Sequence, residues 1–169
     1  MGVISAVGST VDSFWSNILA GRHGISPIEG FDTSGLPVKL AAEVKDFDAS
    51  AYGMDKKEQR RTDRFCQFAV AAAQQALDSC GTRFEDLDPY RVGVIVGSGI
   101  GGLNTLEAEH CKLLEKGPDR VSVFFIPMMI SNMAAGTIAM KTGYKGVNYC
   151  PVTACATSSQ DVYKRQLYR

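Results

Sequence analysis

The sequence carries no excess of charge. Its 18 basic and 18 acidic side chains balance, which argues against a general attraction to nucleic acid or to an anionic membrane surface. No apolar run approaches membrane-spanning length. The first residues also lack the basic segment and apolar core of a secretory leader. Membrane insertion and export are therefore not expected. Histidine is scarce, with only His23 and His110. The five cysteines, Cys66, Cys80, Cys111, Cys150 and Cys155, are odd in number and form no C-x-x-C pair. That spacing argues against zinc and against a disulfide framework, and it predicts reduced thiols in the cytoplasm. No linker, low-complexity stretch or separate second domain interrupts the chain.

A chain of 169 residues is long enough for one domain with a sizeable core. Residues 1–8 read as the end of a strand and a turn. Ser9 or Thr10 then caps a helix whose apolar stripe is Val11, Phe14, Trp15, Ile18 and Leu19, with Gly21 as its stop. Residues 24–52 are loop-rich, with one short strand over 40–44. A long helix from Thr62 to Gly81 turns Phe65, Phe68, Ala69, Ala72, Ala76 and Leu77 inward. Residues 91–96, rich in Val and Ile, predict a buried parallel strand. Helices follow over 103–116 and 128–141, and a strand over 146–152. The methionines of the second helix, Met129, Met133 and Met140, suit either core or an acyl or partner surface. Strands alternating with helices predict an α/β layered fold with a mostly parallel sheet.

Three stretches bear on chemistry. Residues 147–159 read as a strand, a sharp turn of small residues and the start of a helix, with Cys155 in the turn. Free N–H groups at a helix N-terminus favour thiolate over thiol and can hold an oxyanion formed at an acyl carbon. The residue pattern alone leaves a buried, inert cysteine open, and slightly ahead. Residues 97–102, Gly-Ser-Gly-Ile-Gly-Gly, match the G-x-G-x-x-G dinucleotide pattern after a strand and before a helix. The match is weak, because Asp119 precedes the next apolar run (121–126) instead of ending it, and because the turn lies deep in the chain. Glycines there equally let a ligand or another chain approach the backbone. Residues 55–61 form a basic cluster, either a solvated helix end or a landing patch for an acidic partner. His23 and His110 read as surface histidines.

Six stretches in register carry a resemblance. They are residues 2–8, 57–63 (Lys-Glu-Gln-Arg-Arg-Thr-Asp), 94–102, 115–118 (Glu-Lys-Gly-Pro), 121–127 and 153–158 (Thr-Ala-Cys-Ala-Thr-Ser). In this order they resemble the N-terminal half of a β-ketoacyl-acyl carrier protein synthase. Residues 57–61 and 99–102 favour type II over type I. The resemblance implies a thiolase-like fold with α-β-α-β-α layers in the parent. Here only the N-terminal pseudo-repeat would be present, with a mixed, mostly parallel sheet. It implies a homodimer, and an acyltransferase that elongates acyl chains in fatty acid biosynthesis by decarboxylative Claisen condensation with malonyl-acyl carrier protein. No metal or redox cofactor is implied, since the substrates ride on the carrier's phosphopantetheine. By motif, Cys155 is the nucleophile and its N–H an oxyanion donor. Ile100 gates the acyl pocket, Phe125 contributes to the pocket of the partner subunit, and Lys57, Arg60 and Arg61 dock the acidic carrier.

The resemblance covers residues 1–159. Residues 160–169 depart from the family's pattern and are expected to be a non-native tail. The family's catalytic histidines and supporting lysine belong to a second half, and neither His23 nor His110 matches them, so elongation by this chain alone is not expected. Two rival readings remain. One is a dinucleotide-binding domain built on residues 97–102. The other is a polyketide-type ketosynthase or its non-catalytic partner subunit, and the retained Cys155 argues against a non-catalytic subunit.

Overall fold

The computed structural model describes residues 1–81 and 86–166, the side chains of 164–166 excepted. The end of the expected tail, residues 167–169, lies outside the described residues. In chain order the elements are α1 (Val11–Leu19), β1 (Ile25–Pro27), β2 (Leu40–Ala42), α2 (Lys56–Gln59), α3 (Arg64–Ser79), β3 (Val94–Ile95), α4 (Leu103–Lys116), α5 (Phe125–Met129), α6 (Met133–Thr142), β4 (Asn148–Tyr149) and α7 (Thr157–Gln166). They group into two compact units, residues 1–48 with 71–81, and residues 49–70 with those from 82 on.

In the first unit, Thr10 caps α1 as expected. Its side chain accepts from the Ser13 N–H, and the Ser13 hydroxyl accepts in turn from the Thr10 N–H, a reciprocal arrangement that satisfies two otherwise free donors. The apolar stripe of α1 is only half covered, however. Val11 and Phe14 are half-buried, while Trp15, Ile18 and Leu19 stay exposed. The strand expected over 40–44 is β2, and it pairs antiparallel with β1, which the sequence reading missed. No strand forms over residues 1–8. The Gln75 amide takes the place of a neighbouring strand there. Its Oε1 accepts from the Val3 N–H at 3.2 Å, and its Nε2 donates to the Val3 and Ser9 carbonyls at 3.3 and 2.8 Å. The backbone is thus satisfied without a ladder.

The second unit is built on a parallel pair, β3 with β4, in the register Val94↔Asn148 and Ile95↔Tyr149. These are the cores of the two strands expected over 91–96 and 146–152. The ladder is short because Pro151 has no N–H to extend it. Among the described residues, sheet content is accordingly one parallel pair here and one antiparallel pair in the first unit. α6 lies against β3 and β4, with Ala134 and Ala135 fully buried and the Asn148 side-chain amide donating to the Ala135 carbonyl at 3.1 Å. Small side chains at that contact let backbones approach closely. The face that α3 buries in this unit carries Cys66 and Val70, whereas Phe65 and Phe68 are half-buried, so the covered stripe is rotated from the expected one. The Cys66 thiol donates to Thr137 on α6 at 3.3 Å, and its burial pushes its pKa up.

The single helix expected over 128–141 is two, α5 and α6, with extended backbone at Ile130 between them. In a continuous helix the Met129 carbonyl would accept from the Met133 N–H. Instead it accepts from Gly102 at 2.8 Å, and the Met133 N–H donates to Ile130. The break therefore belongs to the packing of the glycine-rich turn. Met140, expected on an apolar face, is exposed.

Candidate active site

Past β4 the chain runs through buried Pro151 into one 3-10 turn, Ala154–Ala156, that leads directly into α7. Cys155 sits in this turn as an exposed free thiol. The strand–turn–helix order read from residues 147–159 is present. The buried, inert alternative is not realised. Cys155 stands two residues before the first residue of α7, at the end where the first N–H groups of a helix have no partners within the helix. The turn is tight enough that Ala154 has φ 47°, in the left-handed region that a side chain disfavours. Thr157, the first residue of α7, is buried. Its Oγ1 accepts from the Thr153 N–H at 2.9 Å and donates to the Ala154 carbonyl at 2.7 Å.

The glycine-rich turn packs against two other parts of the unit. A Cβ on Gly101, whose φ is +90°, would lie 2.2 Å from the Met129 carbonyl oxygen, and one on Gly102 would lie 2.4 Å from that of Met128. A Cβ on Gly97 would lie 2.3 Å from Cγ2 of Thr157. Each distance is far inside contact; at Gly101 and Gly102 the neighbour is backbone and only glycine fits, while at Gly97 it is a side-chain methyl. What approaches Gly97, Gly101 and Gly102 is therefore the chain's own α5 and α7, whereas nothing lies within 4 Å of a Cβ on Gly99. The run 121–126 also leads into α5, not into a strand ended by an acidic residue. The dinucleotide reading thereby loses its ribose anchor. Ile100, at the crest of the turn, is 68% exposed. Phe125 is the half-buried first residue of α5. The Gly102–Met129 hydrogen bond joins the segments that carry these two residues.

The basic cluster forms α2 and its C-terminal end. Asp55 caps α2 by accepting from the Lys57 and Glu58 N–H groups, both at 2.7 Å. Those two bonds, Glu58 first, hold its carboxyl below the usual range. Lys57, Arg60 and Arg61 are all exposed. Arg60 donates to the Lys56 carbonyl, and the Arg61 guanidinium lies over the Phe124 ring, 4.4 Å from its centroid. One end of the cluster therefore touches the residue preceding Phe125.

Sequence reasoning gave no role to the side chains that tie these segments together. Gly102 caps α4 without a side chain, and buried Asp63 supplies the missing cap. Its Oδ2 accepts from the Thr105 N–H at 2.9 Å and from the Thr105 hydroxyl at 2.6 Å. Further along α4, buried Glu109 accepts from the Ser122 N–H at 2.7 Å and pairs with Lys112. The Lys112 ammonium and then the Ser122 N–H hold its carboxyl below the usual range. Asp63 ends the 57–63 stretch, and Thr157 stands two residues past the cysteine at a helix start. Asp63, directly before α3, is a capping residue type in a capping place, a signal that was available, whereas Thr157 is already inside α7.

His23 and His110 are exposed, as expected. Among the described residues no group of His, Cys, Asp and Glu could hold a metal ion, and no helix is long and apolar enough to cross a membrane.

The comparisons with known proteins agree with this geometry. The family model for the N-terminal domain of beta-ketoacyl synthase matches residues 1–165. A Synechocystis protein named 3-oxoacyl-[acyl-carrier-protein] synthase 2 is 47% identical over 162 residues, covering 96% of this chain and 39% of that protein. The chain thus spans about two fifths of the length of that relative. Among solved structures, the ishigamide ketosynthase/chain length factor aligns with TM-score 0.86 and 26% identity, over 98% of this chain and 42% of that one. A type II PKS acyl-carrier protein in complex with its ketosynthase aligns with TM-score 0.77 and 20% identity, over 98% of this chain and 44% of that one, a likeness of fold alone. The thiolase-like α/β fold implied by the sequence is the fold of these ketosynthases. The chain belongs to the beta-ketoacyl synthase family and carries its N-terminal domain.

Proposed function

We propose that the protein to which this domain belongs is a 3-oxoacyl-acyl carrier protein synthase of fatty acid biosynthesis, an acyltransferase working by decarboxylative Claisen condensation. The Cys155 sulfur attacks the carbonyl carbon of an acyl thioester on the carrier's phosphopantetheine. A new C–S bond forms, the old one breaks, and the carrier thiol leaves with the proton. Malonyl-carrier protein then binds and loses carbon dioxide. The resulting carbanion attacks the acyl-enzyme carbonyl, a C–C bond forms, and the Cys155 sulfur is released. The product is a 3-oxoacyl-carrier protein two carbons longer. The nucleophile splits one hard step into two easier ones, and no metal or redox cofactor takes part.

One observation carries this reading: within a chain of this family, an exposed cysteine occupies the turn leading into α7. In this scheme the Cys155 N–H is one oxyanion donor, and Ile100, exposed between glycines, gates the acyl pocket. Phe125 lines the pocket of the partner subunit in a homodimer, and Lys57, Arg60 and Arg61 receive the acidic carrier protein in the cytoplasm. The name of the 47%-identical relative supports fatty acid over polyketide synthesis. The test is to incubate the full-length protein with acyl- and malonyl-carrier protein and analyse the products by mass. Formation of 3-oxoacyl-carrier protein, lost in Cys155→Ala, is the expected result. No product, or equal product from Cys155→Ala, overturns the reading.

A further inference from the structure

We propose that Thr157 is a positioning residue for Cys155, its hydroxyl bracing the nucleophile turn while its methyl group is seated against Gly97. The inference rests on the reading of Cys155 as the acyl-accepting nucleophile, and it adds a part to that site.

Thr157 is the buried residue nearest to Cys155 along α7, at 6% exposure. A hydroxyl has one proton and two lone pairs. Here the proton goes to the Ala154 carbonyl and one lone pair receives the Thr153 N–H. The two bonds close over the residues that immediately precede the sulfur. A threonine inside a helix commonly bonds a carbonyl one turn back. This one differs in what it holds. Its partners belong to the 3-10 turn, and one of them, Ala154, is a non-glycine residue in the left-handed region. Such a conformation persists only where its surroundings over-determine it. The Ala154 carbonyl also accepts from the Thr157 N–H, so the strained peptide is fixed through both the backbone and the side chain of one residue.

The methyl group sets the hydroxyl's direction. Cγ2 of Thr157 fills the place that a Cβ on Gly97 would need. Rotating the side chain away would move the methyl off Gly97 and take the hydroxyl from its two partners. The absence of a side chain at position 97 is therefore part of the same device. It also links the base of the glycine-rich turn, which carries Ile100, to the turn that carries Cys155.

The test uses the full-length protein and two readouts. The first is the second-order rate of iodoacetamide alkylation at Cys155, resolved by peptide mass, with exposed Cys80 and Cys111 as internal references. The second is the rate of Cys155 acylation by acyl-carrier protein. Thr157→Val keeps the shape and removes the hydroxyl, and it is expected to slow both rates about tenfold, the order of one lost buried hydrogen bond, without altering Cys80 or Cys111. Thr157→Ser keeps the hydroxyl and is expected to stay within about threefold of wild type, well short of that loss. A second arm is needed in case Thr157→Val folds poorly. Gly97→Ala pushes on the methyl and is expected to slow Cys155, and Gly97→Ala/Thr157→Ser removes that clash and restores the rate. This rescue shows that the loss runs through the Thr157 methyl and not through a general effect of the alanine. Unchanged Cys155 alkylation in folded Thr157→Val, or no rescue in the double variant, overturns the proposal. If the alkylation pattern holds while no variant or wild type accepts an acyl group, the positioning role stands and the reading of Cys155 as acyl acceptor fails.

Discussion

Replacing Asp63 with alanine removes the side-chain cap that α4 has among the described residues, and the structure lets the effect be sized. Asp63 is 7% exposed, and Thr105 likewise. The substitution deletes two charge-assisted bonds that Oδ2 accepts, from the Thr105 N–H and its hydroxyl, and a longer one of 3.3 Å that Oδ1 accepts from the Phe65 N–H at the start of α3. Hydrogen bonds to a charged group contribute about 1.5–3 kcal/mol each, and loss of an N-terminal cap costs about 1 kcal/mol. The two bonds share one acceptor, so their effects do not add fully, and a total of about 3 kcal/mol is expected. With a urea dependence of about 2 kcal/mol per molar, the unfolding midpoint should fall by about 1.5 M. Asp63→Asn keeps an acceptor oxygen and loses the charge, and it should fall by less than half as much. Equilibrium urea unfolding of the two variants against wild type measures this directly. A shift of less than about 0.3 M for Asp63→Ala, too small for even one such bond, would refute the assignment of Asp63 as the cap that anchors α4 behind the glycine-rich turn.

Glu109 predicts a pH effect. Its folded pKa is depressed, so its contribution is fully present above its unfolded value of about 4.3 and is lost as pH falls through the lower folded value. Stability of wild type should therefore rise with pH across the acid range, and Glu109→Gln should flatten that rise in urea midpoints taken between about pH 3 and 5. Cys66, buried and with its thiol pushed up, should be alkylated by iodoacetamide at least about tenfold more slowly than exposed Cys155. Comparable rates in peptide mapping would contradict the packing of α3 on α6. Arg61→Ala removes an exposed charge and its ring contact with Phe124. It should weaken carrier-protein binding a few-fold, more at low salt than at high salt, with little change in stability. Equal loss at all salt concentrations would point to packing and away from docking.

Parts of this were legible in the sequence for identifiable reasons. α4 was read to the residue because Gly102 and Gly117 punctuate an uninterrupted helical run. The turn at Cys155 was legible because small residues flank it and because a strand and a helix start bracket it. Whether the cysteine was buried was not legible, since the same small residues suit either state. The family resemblance, which implies a nucleophile at this position, decides that point. What stayed hidden was non-local. The Asp63–Thr105 tie joins residues 42 positions apart. Gln75 satisfies Val3 from 72 positions away and so removes a strand that the first residues predict. The split of one apolar helix into α5 and α6 depends on a carbonyl diverted to Gly102. Periodicity reports which faces are apolar, not which backbone group another segment will claim.

The place where an acyl group lands tests the assignment of Cys155 as the nucleophile. Full-length protein mixed with acyl-carrier protein alone, quenched and mapped by peptide mass, should carry one acyl group, on the peptide containing Cys155 and on that sulfur. An acyl group found on Cys80, Cys111 or any other side chain, or folded protein that remains unmodified, would contradict it.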